Sequence, residues 1–266
     1  MKNLYWLSIA FGLVVSGFFF VDRRFTEVGL IGALICAGLT LGLGMLWFRP
    51  RPIWQGILWG ALAPPVVVSL NDQMVGISAK LGLAHLGAAF YSPLPEETIK
   101  LLGVVIIVAA FKNVQHPYQA AAIGMAVGLG FDAMENVPFI LNAAIDDLDG
   151  DLWGVIITGI GRFFTGAFSH ALYTGVAAWG VGKLYAGARH GYWQVAGFWL
   201  AAIALHTLFN ASLIITGDWP VTFFLTALIT WTLIIWGLRF IRKQEKKYAA
   251  QRSENTLPTK DPEYSY

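Results

Sequence analysis

Residues 4–21 carry no charged side chain, and neither do residues 28–48. An α-helix needs about 20 apolar residues to cross the hydrocarbon core of a bilayer, so two such runs at the start of a chain weigh heavily against a water-soluble fold. The soluble alternative, a very apolar globular core, requires polar faces on its helices, and these stretches have none. The remainder agrees: across 266 residues the chain is 56% hydrophobic and 13% charged, against roughly 25% charged in soluble domains. Its 11 tryptophans suit helices anchored at a lipid interface. The first run is too long for a signal-peptide core, and no small-residue cleavage site precedes Asp22-Arg23-Arg24, so it reads as the first span.

Counting apolar runs predicts an all-α, polytopic membrane bundle of about eight transmembrane helices. The predicted spans are 3–21, 28–48, 54–71, 94–111, 118–140, 158–185, 193–215 and 220–240. Pro64 and Pro65 fall inside the third, where an interior proline removes a backbone hydrogen bond and predicts a kink. Segment 72–93 fits a re-entrant or interfacial stretch leading into Pro93-Leu94-Pro95. No internal repeat or second domain is visible. Residues 1–244 are expected to form one transmembrane domain, and 245–266, charged and polar, a disordered cytoplasmic tail.

Lysine and arginine set the orientation. Arg239, Arg242, Lys243, Lys246, Lys247 and Arg252 place the C-terminal tail in the cytoplasm, and eight spans then put the N-terminus there too. Arg49, Arg51, Lys112, Lys183 and Arg189 fall on cytoplasmic loops, while Asp146-Asp147, Asp149-Gly150-Asp151 and Asp218 fall outside. Arg23 and Arg24 go against this pattern. A net charge of +2 gives no reason to expect a nucleic-acid partner. The single cysteine, Cys36, excludes an internal disulfide framework and a cysteine metal site, and reads as a packing residue.

Ionisable side chains inside a bilayer are expensive, about 2.5–3.5 kcal/mol each on insertion scales, and mark a functional interior. They occur in four places: Glu96-Glu97 with Lys100, Asp132 with Glu135-Asn136, His170, and His206 with Asn210. At 1.5 Å of rise per residue, Glu135 lies roughly 25 Å up the fifth span from the cytoplasm and His206 roughly 20 Å up the seventh. His170 lies roughly 18 Å in from the outside on the sixth. Glu96 and Glu97 occupy the first turn of the fourth span, which enters from outside. All four places therefore fall in the outer half of the bilayer, which predicts one polar cavity open toward the outer face.

Several chemistries fit this set. His206 and Asn210 are four apart and share a helix face, where the amide can orient the imidazole or donate to an oxyanion. Phe131 and Glu135 place a ring beside a carboxylate. Carboxylates with two histidines, and no serine or cysteine nucleophile nearby, suit activation of water by a buried glutamate. Alternatively, His170, His206 and Glu135 offer the nitrogen and oxygen ligands of a catalytic zinc site with an open position for water, although no HExxH is present. Plainer readings stand beside these. Acids in a first helical turn favour the macrodipole, and Glu96–Lys100 is an ordinary intrahelical spacing. Asp132 can pair with Arg162 or sit at the membrane edge. His116 and His190 on cytoplasmic loops, and His85 in segment 72–93, read as solvated; Tyr173, Trp179 and Trp199 read as packing or interface residues.

At these residues the sequence resembles the PrsW family of membrane-embedded proteases, related to the CAAX-processing (CPBP/Abi) endopeptidase superfamily. Glu96-Glu97-Thr98-Ile99-Lys100 matches EExxK, and Phe131-Asp132-Ala133-Met134-Glu135-Asn136 matches FxxxEN. Ser169-His170 supplies the next histidine, and His206-Thr207-Leu208-Phe209-Asn210 resembles HxxxN. Four motifs in order on successive helices, over about residues 90–215, form a specific signal. The resemblance implies intramembrane endopeptidase activity on membrane-tethered regulators such as anti-sigma factors, cut on the extracytoplasmic side of a bacterial inner membrane. It implies Glu97 or Glu96 as the base that activates water, with His170, His206 and Asn210 as stabilisers or orienters. The family is often labelled a metalloprotease, and both a metal-free mechanism and one using a divalent metal such as zinc remain compatible with these side chains. The CAAX enzymes usually carry histidine where Glu135 stands, which turns the expectation away from prenylated substrates.

Two other classes use the same features. An ion- or proton-coupled transporter or channel would also have intramembrane carboxylates and histidines, though the paired repeat halves of many transporters are missing. A non-catalytic scaffold binding a partner's transmembrane helix would use the 29 glycines.

Overall fold

The computed structural model describes residues 1–21, 25–48, 54–83, 87–111, 114–146, 151–215 and 220–256. Every regular element among them is a helix: α1 (Lys2–Val21), α2 (Glu27–Phe48), α3 (Trp54–Lys80), α4 (Ala88–Tyr91), α5 (Pro93–Phe111), α6 (Pro117–Asp146), α7 (Asp151–Gly166), α8 (Ser169–Tyr185), α9 (Gly191–Ile215) and α10 (Pro220–Thr256). The chain is an integral membrane protein built as a polytopic helix bundle. By length and hydropathy, five stretches among the described residues can cross a membrane: Lys2–Val21, Glu27–Leu46, Leu152–Tyr185, Gly191–Ser212 and Phe224–Ala250. The long helices left out are α3, α5 and α6, and two of them carry carboxylates into the interior. α5 holds buried Glu96, Glu97 and Lys100, and α6 holds buried Asp132 and Asn136. The apolar helices shield them, as the exposed Leu7, Phe11, Leu34, Leu208 and Leu228 illustrate.

α6 is the central strut, packing on α8, α3 and α2. Its glycines permit this closeness. A methyl group at Gly128 would collide with the His170 carbonyl of α8, and one at Gly130 with the Ile57 carbonyl of α3. Gly124 and Gly128 are four apart, the small-residue spacing that lets membrane helices touch backbone to backbone. This contact sets how far His170 stands from Glu135.

Three expectations change. The sixth span, expected over 158–185, is two helices. Phe168 takes the left-handed region at φ 68 between α7 and α8, held there by burial against Phe163 and Trp231. His170 consequently sits in the first turn of α8 instead of deep within a longer helix. Segment 72–93 keeps its reading: α3 runs through Pro64 and Pro65 as far as Lys80 and the short α4 precedes Pro93, a course that does not contradict a re-entrant or interfacial stretch. α6 extends past 140 to Asp146. Finally, residues 245–256 continue α10 as helix. The run from Lys243 to Arg252 is rich in good helix formers, and Tyr248 fastens it to the bundle by donating to Gln115 Oε1 at 2.6 Å. The Tyr248 ring also lies 4.1 Å from His116, so His116 is packed where a solvated side chain was expected. His190 is exposed. His85, Arg23, Arg24, Arg49, Arg51, Lys112, Asp147, Asp149, Asp218 and residues 257–266 lie outside the described residues.

Candidate active site

α5 opens on Pro93-Leu94-Pro95, with Pro93 in the first turn, where a missing backbone N–H costs nothing. Successive helical residues point about 100° apart, so Glu96 and Glu97 cannot share a direction. Glu96 lines a cavity of about 580 Å³ enclosed by α1, α3, α6, α7, α8 and α9, and Glu97 does not. Glu97 is fully buried. Its Oε1 takes Lys100 Nζ at 2.6 Å and His206 Nδ1 at 3.0 Å. The i+3 and i+4 spacings bring Lys100 between the two glutamates, with its Nζ 3.9 Å from Glu96 Oε2.

Lys100 also reaches across to α8, where its Nζ stands 2.7 Å from His170 Nδ1. The other ring nitrogen, Nε2, lies 3.1 Å from Glu135 Oε2. That same oxygen accepts from Arg162 Nη2 at 2.9 Å, and Arg162 Nε donates to Asn136 Oδ1. His206 turns its Nε2 toward Glu96 Oε2 at 3.8 Å. Its ring stacks on Tyr173, with centroids 5.2 Å apart. Asn71 Nδ2 approaches Glu96 Oε1 at 3.5 Å, and Asn210 Nδ2 approaches Ser92 Oγ at 3.5 Å.

Glu96, Glu97, Glu135, His170, His206 and Asn210 therefore converge on one region, with Glu97 behind the cavity wall and the other five on it. One expectation about neighbours is overturned. Arg162 pairs with Glu135 and Asn136, not Asp132. Asp132 is buried, and its Oδ2 has no hydrogen-bond partner among the described residues. Phe131 lies against Lys100, 4.2 Å from Nζ to ring centroid, and against the His170 ring at 4.7 Å.

The anticipated metal ligands also change membership. Glu96, His170 and His206 each present a ligand atom, all within 4.8 Å of one another. Glu96 thus stands where Glu135 was expected, because Glu135 is engaged by Arg162. The donor set fits a divalent metal. Glu96 Oε2 is buried without a hydrogen-bond partner among the described residues. Since Glu97 accepts from His206 Nδ1, the lone pair of His206 Nε2 is left toward the cavity. His170 becomes the third ligand by exchanging one hydrogen bond. The surroundings favour a cation: Glu96, Glu97, Asp132 and Glu135 face only Lys100 and Arg162 as fixed positive charges.

Lys100 and Arg162 are the residues that sequence reasoning undervalued. Lys100 passed as half of an ordinary ion pair, yet it joins α5 to α8. Arg162 lies outside every motif, and its signal was a lone guanidinium in the apolar stretch 152–185, which must find partners inside a membrane.

A helical membrane bundle that gathers carboxylates and imidazoles on one cavity has the constellation of an intramembrane hydrolase. The family model for PrsW family intramembrane metalloprotease matches residues 50–237. The chain belongs to that family and is a peptide-bond hydrolase. No individually curated protein and no solved structure matches it.

Proposed function

We propose that this chain cuts a membrane-tethered protein, such as an anti-sigma factor, near the extracytoplasmic side of a bacterial inner membrane. The bundle crosses the membrane eight times in this reading, with α7 and α8 together as one crossing, and both termini are cytoplasmic. The observation that carries it is the cavity. One wall is apolar, with Phe19, Phe20, Pro64 and Val67, and suits a peptide that has left its own helix. The cavity also carries Glu96, Glu135, His170 and His206.

Glu96 is the carboxylate that meets the water. Its Oε2 takes a proton as the water oxygen bonds to the scissile carbonyl carbon, whose π pair moves onto the carbonyl oxygen. The tetrahedral species collapses by breaking the C–N bond, and the leaving nitrogen recovers that proton, giving one carboxylate and one amine terminus. Glu97 sits behind this chemistry. It holds His206 in the tautomer that leaves Nε2 toward the cavity and neutralises Lys100. Asn210, four residues beyond His206, supplies an amide on the same cavity wall. Glu96, His170 and His206 would hold a divalent metal such as zinc, which when bound supplies Lewis-acid lowering of the water's pKa.

The test is purified protein in proteoliposomes with single-span candidate substrates, products being identified by mass spectrometry. Wild type should cut at the extracytoplasmic end of the span, and Glu96→Gln should bind the same substrate without cutting it. Ion-coupled flux through the protein with no cleavage of any single-span substrate would replace this reading with a transporter.

A further inference from the structure

Arg162 reaches the cavity from α7, outside the four motifs that frame the site. Its side chain is 29% exposed, and it lines the cavity. One face is covered by Phe139, with Cζ 3.9 Å from the ring centroid. One edge is occupied: Nη2 donates to Glu135 Oε2 and Nε to Asn136 Oδ1. A guanidinium has five N–H groups in a fixed fork. Two are engaged, and the other three make no hydrogen bond to the described residues.

The engaged edge also fixes where the remaining donors lie. Glu135 Oε2 is shared, taking Arg162 Nη2 at 2.9 Å and facing His170 Nε2 at 3.1 Å. Arg162 is thereby one carboxylate oxygen away from an imidazole of the reacting cluster. It is held rigidly by two α6 acceptors and an α6 aromatic face, and it approaches from α7 while Glu96 approaches from α5. A carbonyl seated between them would have water on one side and a preorganised cation on the other.

We propose that Arg162 is a catalytic residue of the hydrolysis, donating to the substrate carbonyl oxygen as it becomes an oxyanion. This rests on the endopeptidase reading above. A half-buried ion pair could be kept for helix packing alone, but packing would not require donors left facing the cavity. Fixed donors aimed at a developing negative charge, in a site that excludes bulk water, are worth about 10²–10³ in kcat each.

The experiment compares wild type with Glu96→Gln, Arg162→Lys and Arg162→Gln on one single-span substrate, together with inhibition by a phosphinate peptide of the same sequence, which mimics the tetrahedral species. Arg162→Gln should lower kcat about 10²–10³-fold with KM nearly unchanged, and phosphinate affinity should fall by the same factor as kcat/KM. Arg162→Lys, which keeps the charge and the Glu135 pair, should recover part of the rate. Adding Glu135→Gln to Arg162→Gln should not restore activity. If it does, Arg162 only neutralises Glu135 and the assignment is overturned. Wild-type kcat in Arg162→Gln while Glu96→Gln is inactive overturns the role of Arg162 alone. Full activity in Glu96→Gln removes the underlying reading, and the proposal with it.

Discussion

Lys100 and His170 meet end to end across two helices, with Nζ 2.7 Å from Nδ1. An ammonium can only donate, so Nδ1 accepts and the ring proton resides on Nε2, directed at Glu135 Oε2 3.1 Å away. Lys100 also holds Glu97 at 2.6 Å. One fully buried lysine therefore sets the tautomer of one histidine directly and anchors the carboxylate that orients the other.

Replacing Lys100 with Met should damage the fold as well as the reaction. It leaves Glu97 buried without its cation, a loss of about 3–5 kcal/mol for a broken buried pair. Thermal unfolding in detergent should show a markedly lower midpoint than wild type. The double variant Lys100→Met/Glu97→Gln should regain much of the stability without regaining cleavage.

Glu97 acts on any bound metal through His206, to which it is joined at 3.0 Å. Partners of this kind typically affect metal affinity by about 10–100-fold. Competition titration with a chromophoric chelator should show Glu97→Ala weakening zinc by that factor. His206→Gln, which removes a ligand atom, should weaken it further.

Gly128 faces the His170 carbonyl so closely that any side chain there must push α8 away from α6. Gly128→Val should cost about 1–3 kcal/mol through overpacking. It should also separate His170 from Glu135 and abolish cleavage. Gly159→Val, at a position open on all sides, should leave unfolding unchanged in the same assay.

The sequence made the membrane bundle legible because apolar runs of spanning length have few other uses, and the site legible because ionisable residues inside such runs are costly. Glu96, Glu135, His170 and His206 do converge, as depth along the helices suggested. Depth says nothing about azimuth, however. Adjacent glutamates on α5 point about 100° apart, which is why Glu96 faces the cavity and Glu97 the interior, and why Glu96 joins the histidines where Glu135 was expected. The break before α8 was hidden for another reason. It rests on Phe168 at φ 68, a conformation that its packing against Phe163 and Trp231 imposes and that phenylalanine does not advertise. Arg162 was visible as a partner for Asp132, but only α7 as a helix of its own delivers the side chain to Glu135.

The central claim is that Glu96, and not its neighbour, meets the reacting water. Its most direct test is single-turnover cleavage of one membrane-tethered substrate by wild type, Glu96→Gln and Glu97→Asp, with substrate binding measured separately. Glu96→Gln should bind normally and lose about 10²–10⁴ in rate, while Glu97→Asp, which keeps a carboxylate for Lys100 and His206, should retain measurable turnover. Undiminished cleavage by Glu96→Gln would contradict the account.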